Sequence, residues 1–376
     1  MVNIIIGGDL VPTTSNQEFF INGDIETLIG KKLINKLENS DFIAMNLEVP
    51  LVDIANPIKK AGPNLIASSD AIKGIKKINP YFFTLANNHI LDQGEDGLTS
   101  TINLLKDNGI NYSGVGENVA EASKSFTFMK NGIRVGIYCC SEHEFSVATK
   151  KKAGANPYDP LESFDHIEDL SKKVDFVIVL FHGGKEYYRY PSPEIQRIFR
   201  KFADKGAHVV IAQHTHCIGC FEKWNNALLV YGQGNFLFDG GDDEYWNSSL
   251  LIELELENQS YNYKFIPIIK HDNVISIEEN QQSEKIIKDF FKRSNNISKD
   301  GFIEEQYKEF AKYMSLNYFK ILKGNRSIFN KIAVKIFKNS KLLYNEEKIL
   351  ATLNYIECEA HRELAIQAFK NLIIQK

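Results

Sequence analysis

Short apolar runs recur through the first 240 residues, at 2–6, 42–45, 82–85, 133–139, 177–181, 209–212 and 228–231. They are rich in Val, Ile, Leu and Phe with few polar interruptions, the pattern of strands buried on both faces. Helix-period segments fall between several of them, at 25–37, 71–78, 97–106, 161–170 and 193–204. In the last of these, Ile195, Ile198, Phe199 and Phe202 form one apolar stripe. Pro193 suits its first turn and Gly206 its stop. Strand–helix alternation predicts a layered α/β core. Residues 250–256 and 261–269 instead alternate apolar and polar positions around 257–260. That predicts an antiparallel hairpin with one exposed face. From Ser283 the period is helical to the end. Leu353, Ile356, Cys358, Ala360, Leu364, Ala365 and Phe369 are expected on a packed final helix. The boundary is therefore expected between a main domain, 1–275, and a C-terminal helical subdomain, 276–376.

The composition is that of an ordinary globular chain, 43% hydrophobic and 24% charged with net charge −4. No nucleic-acid partner is expected from it. No apolar run approaches the eighteen or so residues of a membrane helix, so no transmembrane segment is expected. Residues 1–8 lack a basic region and an h-region, and read as a first buried strand rather than a signal peptide. Five cysteines without a framework spacing suit a reducing compartment, so a cytoplasmic location is expected. Cys217 and Cys220 have CxxC spacing, read either as a redox or soft-metal pair or as two small residues in a turn, the simpler reading. Charge is unevenly spread: residues 281–376 hold 18 Lys and Arg against 11 Asp and Glu. Between Lys312 and Lys341 there are eight basic residues and no acidic one. Such a stretch suits a polyanion, an anionic lipid surface or an acidic partner, or is a solvated helix face. Peripheral attachment at a membrane would use it.

Polar residues recur where the apolar runs end. Asp9 follows the first run, and Asn46 and Glu48 the second. Asn87, Asn88 and His89 follow the third, with Asp92 just beyond. His182 follows the run at 177–181, and His214 and His216 the run at 209–212. Ligands of open α/β sheets gather at the carboxyl ends of strands. In an extended segment His214 and His216 would share a face, since side chains alternate at period two. Two carboxylates, an amide oxygen and three imidazoles suit one or two divalent ions, with Zn, Mn and Fe equally served. His89 would then be left to donate a proton or steady the transition-state charge, with Asp92 to orient it or to hold a cap.

The ordered set resembles the CapA family of bacterial capsule or poly-γ-glutamate synthesis proteins. Its segments here are Gly8-Asp9, Asn46-Leu47-Glu48, Asn87-Asn88-His89-Ile90-Leu91-Asp92-Gln93-Gly94, His182-Gly183-Gly184-Lys185-Glu186-Tyr187, His214-Thr215-His216 and Gly234-Asn235-Phe236. The resemblance covers about residues 1–270. It implies an α/β fold, a four-layer αββα metallophosphatase-like sandwich, with a dinuclear site between sheet ends. By position, Asp9 and His216 would hold one metal, and Asn88, His182 and His214 the other. Glu48 would stand at the bridging position and His89 at the catalytic histidine. Glu186, Tyr187 and Asn235 would face the substrate or support the ligands, with Asn46 and Asn87 behind them. Three departures stand out. Asp9-Leu10-Val11 lacks the histidine of the wider superfamily's Asp-x-His, Glu48 replaces an Asp, and Gln213 replaces a Gly.

Three functions follow as expectations. The first is a metal-dependent, phosphoesterase-type hydrolase of capsule polysaccharide or poly-γ-glutamate synthesis. The second is a non-catalytic metal- or polymer-binding subunit of capsule assembly, and the third an amide hydrolase on a γ-glutamyl chain. The expected partners are an anionic surface polymer or phosphorylated precursor, and membrane-associated assembly proteins met through the basic tail.

Overall fold

A computed structural model of the chain describes residues 1–238, 243–258, 260–322, 352, 353 and 356. The strands are β1 Val2–Leu10, β2 Phe42–Leu47, β3 Phe82–Thr84, β4 Asn111–Ser113, β5 Val115–Gly116, β6 Phe126–Lys130, β7 Ile133–Ser141, β8 Gly154–Ala155, β9 Phe176–His182, β10 Val209–Gln213, β11 Phe221–Trp224, β12 Ala227–Val230, β13 Ser248–Glu257, β14 Ser260–His271 and β15 Val274–Ser276. The helices are α1 Gln17–Asn22, α2 Lys31–Glu38, α3 Ile72–Ile78, α4 Gly94–Asp107, α5 Val119–Ala122, α6 Ser163–Ser171, α7 Pro193–Asp204, α8 Gln281–Ile297 and α9 Phe302–Leu322.

Two large sheets form. One runs β15-β14-β13-β1-β2-β3-β4, the other β11-β12-β10-β9-β7-β6, and β5 pairs with β8 alone. The strands from the early apolar runs pair in parallel: β1, β2 and β3 in the first sheet, and β7, β9, β10 and β12 in the second. Period-two alternation divides their side chains between two cores. Ile4 and Ile6 of β1 and Phe42 and Ala44 of β2 meet Ile137, Ile178, Leu180 and Ile211 between the sheets. Ile5, Ile43, Met45 and Phe83 face outward onto Leu33, Leu37, Ile75, Leu98 and Leu105 of α2, α3 and α4. Val177, Val179 and Val210 of the second sheet face Ile167 of α6 and the predicted stripe of α7. Helix, sheet, sheet and helix make the four-layer αββα sandwich that was expected. The α7 start is also as read: Ser192 caps it through its hydroxyl, with Pro193 in the first turn.

Two expectations take a more detailed form in the structure. The hairpin of β13 and β14 is antiparallel and β14 alternates toward solvent as expected, but β13 is buried along most of its length, with solvent reached only at Glu255 and Glu257 near its end and partly at Ser248. It lies between β1 and β14, and the second sheet and the helices cover both its sides. Its polar positions are accommodated by pairing: Glu253 accepts from Lys36 Nζ at 2.5 Å and from Asn3 Nδ2 at 2.7 Å. The compact unit also continues to Tyr307, past the boundary expected at 275, and Lys308–Lys376 form a second unit. The reason is α8. Its Phe290 packs with Ile218 and Leu250, and Arg293 Nε donates to the Gly219 carbonyl at 2.7 Å. The final helix expected around 353–369 and most of the basic stretch lie outside the described residues. No described helix is long and apolar enough to cross a membrane.

One backbone irregularity aims the first site residue. The β1–β2 register shifts between Ile6↔Ala44 and Asp9↔Asn46, so β1 carries an extra residue there. Such a bulge re-aims the side chain beyond it, here Asp9. Gly8 permits it, because a Cβ on Gly8 would lie 2.0 Å from the Gly234 carbonyl oxygen. The same approach lets Phe236 N donate to the Asp9 carbonyl at 2.9 Å, which seats the Gly234–Phe236 segment beside β1. Gly8→Ala is expected to cost roughly 2 kcal/mol or more, the scale of overpacking a closed interior. Urea denaturation measures it, and a variant as stable as the parent would contradict this close approach.

Candidate metal centre

The expected site residues come together at one end of the sandwich, each from the carboxyl end of a parallel strand. Asp9 is near the end of β1 and Glu48 follows β2. Asn87 and Asn88 follow β3, His182 ends β9, and His214 and His216 follow β10. The ends of the two sheets therefore face one another across the cluster. All of these side chains are buried, Glu48 completely.

Two groups of ligand atoms form, Asp9–Glu48–His182 and Glu48–His214–His216, each with its atoms within 4.8 Å of one another. Glu48 belongs to both. The resemblance implied Asp9 with His216, and Asn88 with His182 and His214, and those partners also lie together, the His182 and His214 rings 4.8 Å apart. Asp9 does approach His216, at 3.6 Å between Oδ2 and Nδ1. Asn88 turns Oδ1 to His182 Nε2 at 3.0 Å while its Nδ2 donates to Glu144 at 2.7 Å. Its amide oxygen thus faces the cluster.

The pleat does not bring His214 and His216 together, contrary to the period-two reading. β10 ends at Gln213, and both histidines have left-handed backbone, with φ of 83° and 52°. Tyr187 is also left-handed, at 60°. Non-glycine residues held there cost of order 1–3 kcal/mol each unless their surroundings fix them. His214 N donates to Asp9 Oδ2 at 3.2 Å, and Tyr187 N to the Thr215 carbonyl at 2.9 Å, which fixes those two.

A tier of amides orients the ligands. Asn46 Nδ2 donates to Asp9 Oδ1 at 2.8 Å and lies 3.2 Å from His182 Nδ1. Asn87 Nδ2 donates to Asn46 Oδ1 and to the Leu47 carbonyl. Asn235 Oδ1 accepts from His216 Nδ1 at 2.8 Å. Glu186 is 4.0 Å from His214 Nε2, and the Tyr187 ring is 6.1 Å from that of His216.

The donor set fits a divalent cation. Both carboxylate oxygens of Glu48 are buried and make no hydrogen bond, although Oε1 lies 3.2 Å from His182 Nε2. A buried carboxylate costs several kcal/mol unless it is paired, and here the imidazoles of His182 and His214, or a cation held among them, supply the partner. Glu48 stays ionised: burial alone would raise its pKa, but His182 and then His214 and His216 hold it well below the ordinary value. Asp9 is pushed up by burial and by the charge on Glu48. Burial takes His182 down to about 4 and also lowers His216. His214 moves the other way, up to about 9, because the Glu48 carboxylate outweighs the effect of burial. The pocket attracts positive charge, and two of its three imidazoles are kept neutral, the form that binds metals.

His89 and Asp92 lie one step outside. His89 Nδ1 is 2.6 Å from Asp92 Oδ2, which also accepts from Leu65 N at 2.6 Å. Three residues that pattern reading did not reach complete the surroundings. Lys60 pairs with Asp92, Glu144 holds Asn88, and the Trp246 ring stacks on His216 at 5.0 Å. All three sit in irregular segments, where no periodicity marks them. Cys217 and Cys220 are buried free thiols outside the cluster. Burial raises the Cys217 thiol to about 11, which fits the reading of small residues in a turn.

Comparison with known proteins places the chain. Over 224 residues it is 31% identical to the capsule biosynthesis protein CapA of Bacillus anthracis, covering 57% of this chain and 54% of that one. Over 264 residues it is 28% identical to the PGA biosynthesis protein CapA of Bacillus subtilis (strain 168), covering 68% and 69%. The chain thus spans about half the length of the first relative and about two thirds of the second. Among solved structures, a phosphatase from Mycoplasma pneumoniae superposes with TM-score 0.45 at 16% identity, over 76% of this chain and 96% of that one. A putative 5'-nucleotidase from Staphylococcus aureus gives TM-score 0.45 at 14% identity, over 77% and 58%. Residues 3–240, which contain every ligand of the cluster, match the family described as bacterial capsule synthesis protein PGA_cap, and the chain belongs to that family.

Proposed function

We propose that this chain is a metal-dependent hydrolase of surface-polymer synthesis, cleaving a phosphoester or a related acyl or glycosyl phosphate. The observation that carries the reading is Glu48, a completely buried carboxylate shared by two groups of ligand side chains. Asp9, Glu48 and His182 would hold one ion, and Glu48, His214 and His216 a second, with the Asn88 amide oxygen beside His182. Divalent ions there would supply Lewis acidity for a phosphoryl oxygen and an acidified water. The chemistry of the donors suits Mn, Zn or Fe.

The chain's own residues supply the rest. Asn46 and Asn87 fix the directions of Asp9 and His182. Asp92 holds the Nδ1 proton of His89, so Nε2 carries either the lone pair or the proton it can give to a leaving group. Lys60 pairs with Asp92 out of contact with solvent: its side chain is 1% exposed and that of Asp92 0%. A purely binding subunit has no use for this oriented imidazole next to a ligand amide.

Two outcomes are expected. With added Mn²⁺ and a p-nitrophenyl phosphodiester, His89→Asn should lower kcat by about 100-fold or more, the scale of one general acid, while metal content is unchanged. Equal turnover in the variant would favour the binding-subunit reading. Lys60→Met should destabilise the fold by about 3–5 kcal/mol, since it leaves a buried carboxylate without its cation. Thermal and urea unfolding measure this, and an unaltered midpoint would remove Lys60 from the account.

A further inference from the structure

A second concentration of positive charge lies beyond the aromatic side of the metal centre. Arg189 Nη1 and Arg293 Nη2 both donate to the Ile218 carbonyl, at 2.9 and 3.2 Å. Two guanidinium groups are therefore held against one acceptor, and both are half-buried. Like charges this close repel, and burial together with the Arg189 charge pushes the Arg293 guanidinium below its ordinary pKa. Counter-charge is sparse. Arg189 pairs with Glu244 at 2.9 Å, but that carboxylate is 75% exposed and such a pair is worth little. Among the described residues neither Arg293 nor Lys285 forms an ion pair. The two arginines and Lys285 line one cavity of about 290 Å³, whose acidic members are Glu244 and Asp289.

This cavity is linked to the metal centre by a row of aromatic rings. The Tyr187 ring is 6.1 Å from His216, Tyr245 is 5.6 Å from Tyr187, and the Arg189 guanidinium lies 4.7 Å over Tyr245. Guanidinium pairs recognise carboxylates and phosphates through parallel donors. We propose that Arg189, Arg293 and Lys285 form a second anion site, which takes a carboxylate or phosphate of the same acidic molecule whose other end lies at the metal centre. The Tyr187–Tyr245 row would carry the chain between the two. The proposal builds on the hydrolase reading only in that shared molecule. The anion site itself needs no metal.

The test uses the full chain and two fluorescent probes, an oligomer of eight γ-linked glutamates and tripolyphosphate, followed by anisotropy at low and high salt. The parent should bind at least one probe, more weakly as salt rises. Whichever probe binds identifies the anion as carboxylate or phosphate. Arg189→Gln and the exposed Lys285→Glu should each weaken that binding about tenfold or more, and Asp289→Asn should strengthen it. Lys32→Glu, a charge reversal at an exposed lysine outside the cavity, should bind as the parent does, which separates this site from general surface charge. The proposal is overturned if neither probe binds the parent, or if the Arg189 and Lys285 variants bind as the parent does. It is also overturned if Lys32→Glu weakens binding as much as Lys285→Glu does. Failure of the hydrolase reading would appear separately, as absent turnover with probe binding intact.

Discussion

Taking a carboxylate out of water without a donor to meet it costs several kcal/mol, and proteins accept that cost only where a cation repays it. Glu48 stands at that point of the fold. It follows β2, at the junction of the two sheets, completely buried and with the His182 ring nitrogen 3.2 Å from one of its oxygens. Much around it serves to keep it ionised and reachable. His182 and His214 lower its pKa, Asn46 and Asn87 hold the neighbouring ligands, and the bulge at Gly7-Gly8 turns Asp9 toward it. The sandwich brings the carboxyl ends of parallel strands from both sheets face to face, and this cluster forms between them.

The layered architecture was legible because strands buried on both faces must be apolar throughout. Runs such as 177–181 and 209–212 leave no polar face for solvent, and the α7 stripe has the period of a covered helix. The half-exposed reading of the hairpin holds for β14 and not for most of β13, for a related reason. Glu253 and Glu255 look like a solvent face until Lys36 and Asn3 are seen to accommodate Glu253, a pairing across more than 200 residues that no local pattern carries. The same holds for α8. Its amphipathic period is plain, but its packing on Ile218 and Leu250 is decided by tertiary contact, which moves the boundary from 275 to 307.

The membership of the site was legible on different physical grounds. Polar side chains repeated at strand ends have no role in a core, so Asp9, Glu48, Asn88, His182, His214 and His216 stood out together. Their arrangement was not legible. The histidine pair converges through left-handed backbone rather than a pleat, and the grouping around Glu48 depends on how the sheets face. Lys60, Glu144 and Trp246 come from irregular segments and are recognisable only through what they touch: Asp92, Asn88 and His216.

The central claim is that Glu48 is a shared ligand of bound divalent ions. Elemental analysis of the chain, purified without chelator and without an affinity-tag histidine run, tests it directly when set beside Glu48→Gln. The account predicts about two ions per chain in the parent, falling to one or none in the variant, which keeps the size of the side chain and removes its charge. No metal in the parent after reconstitution with Mn²⁺, Zn²⁺ or Fe²⁺, or equal metal content in parent and variant, would contradict it.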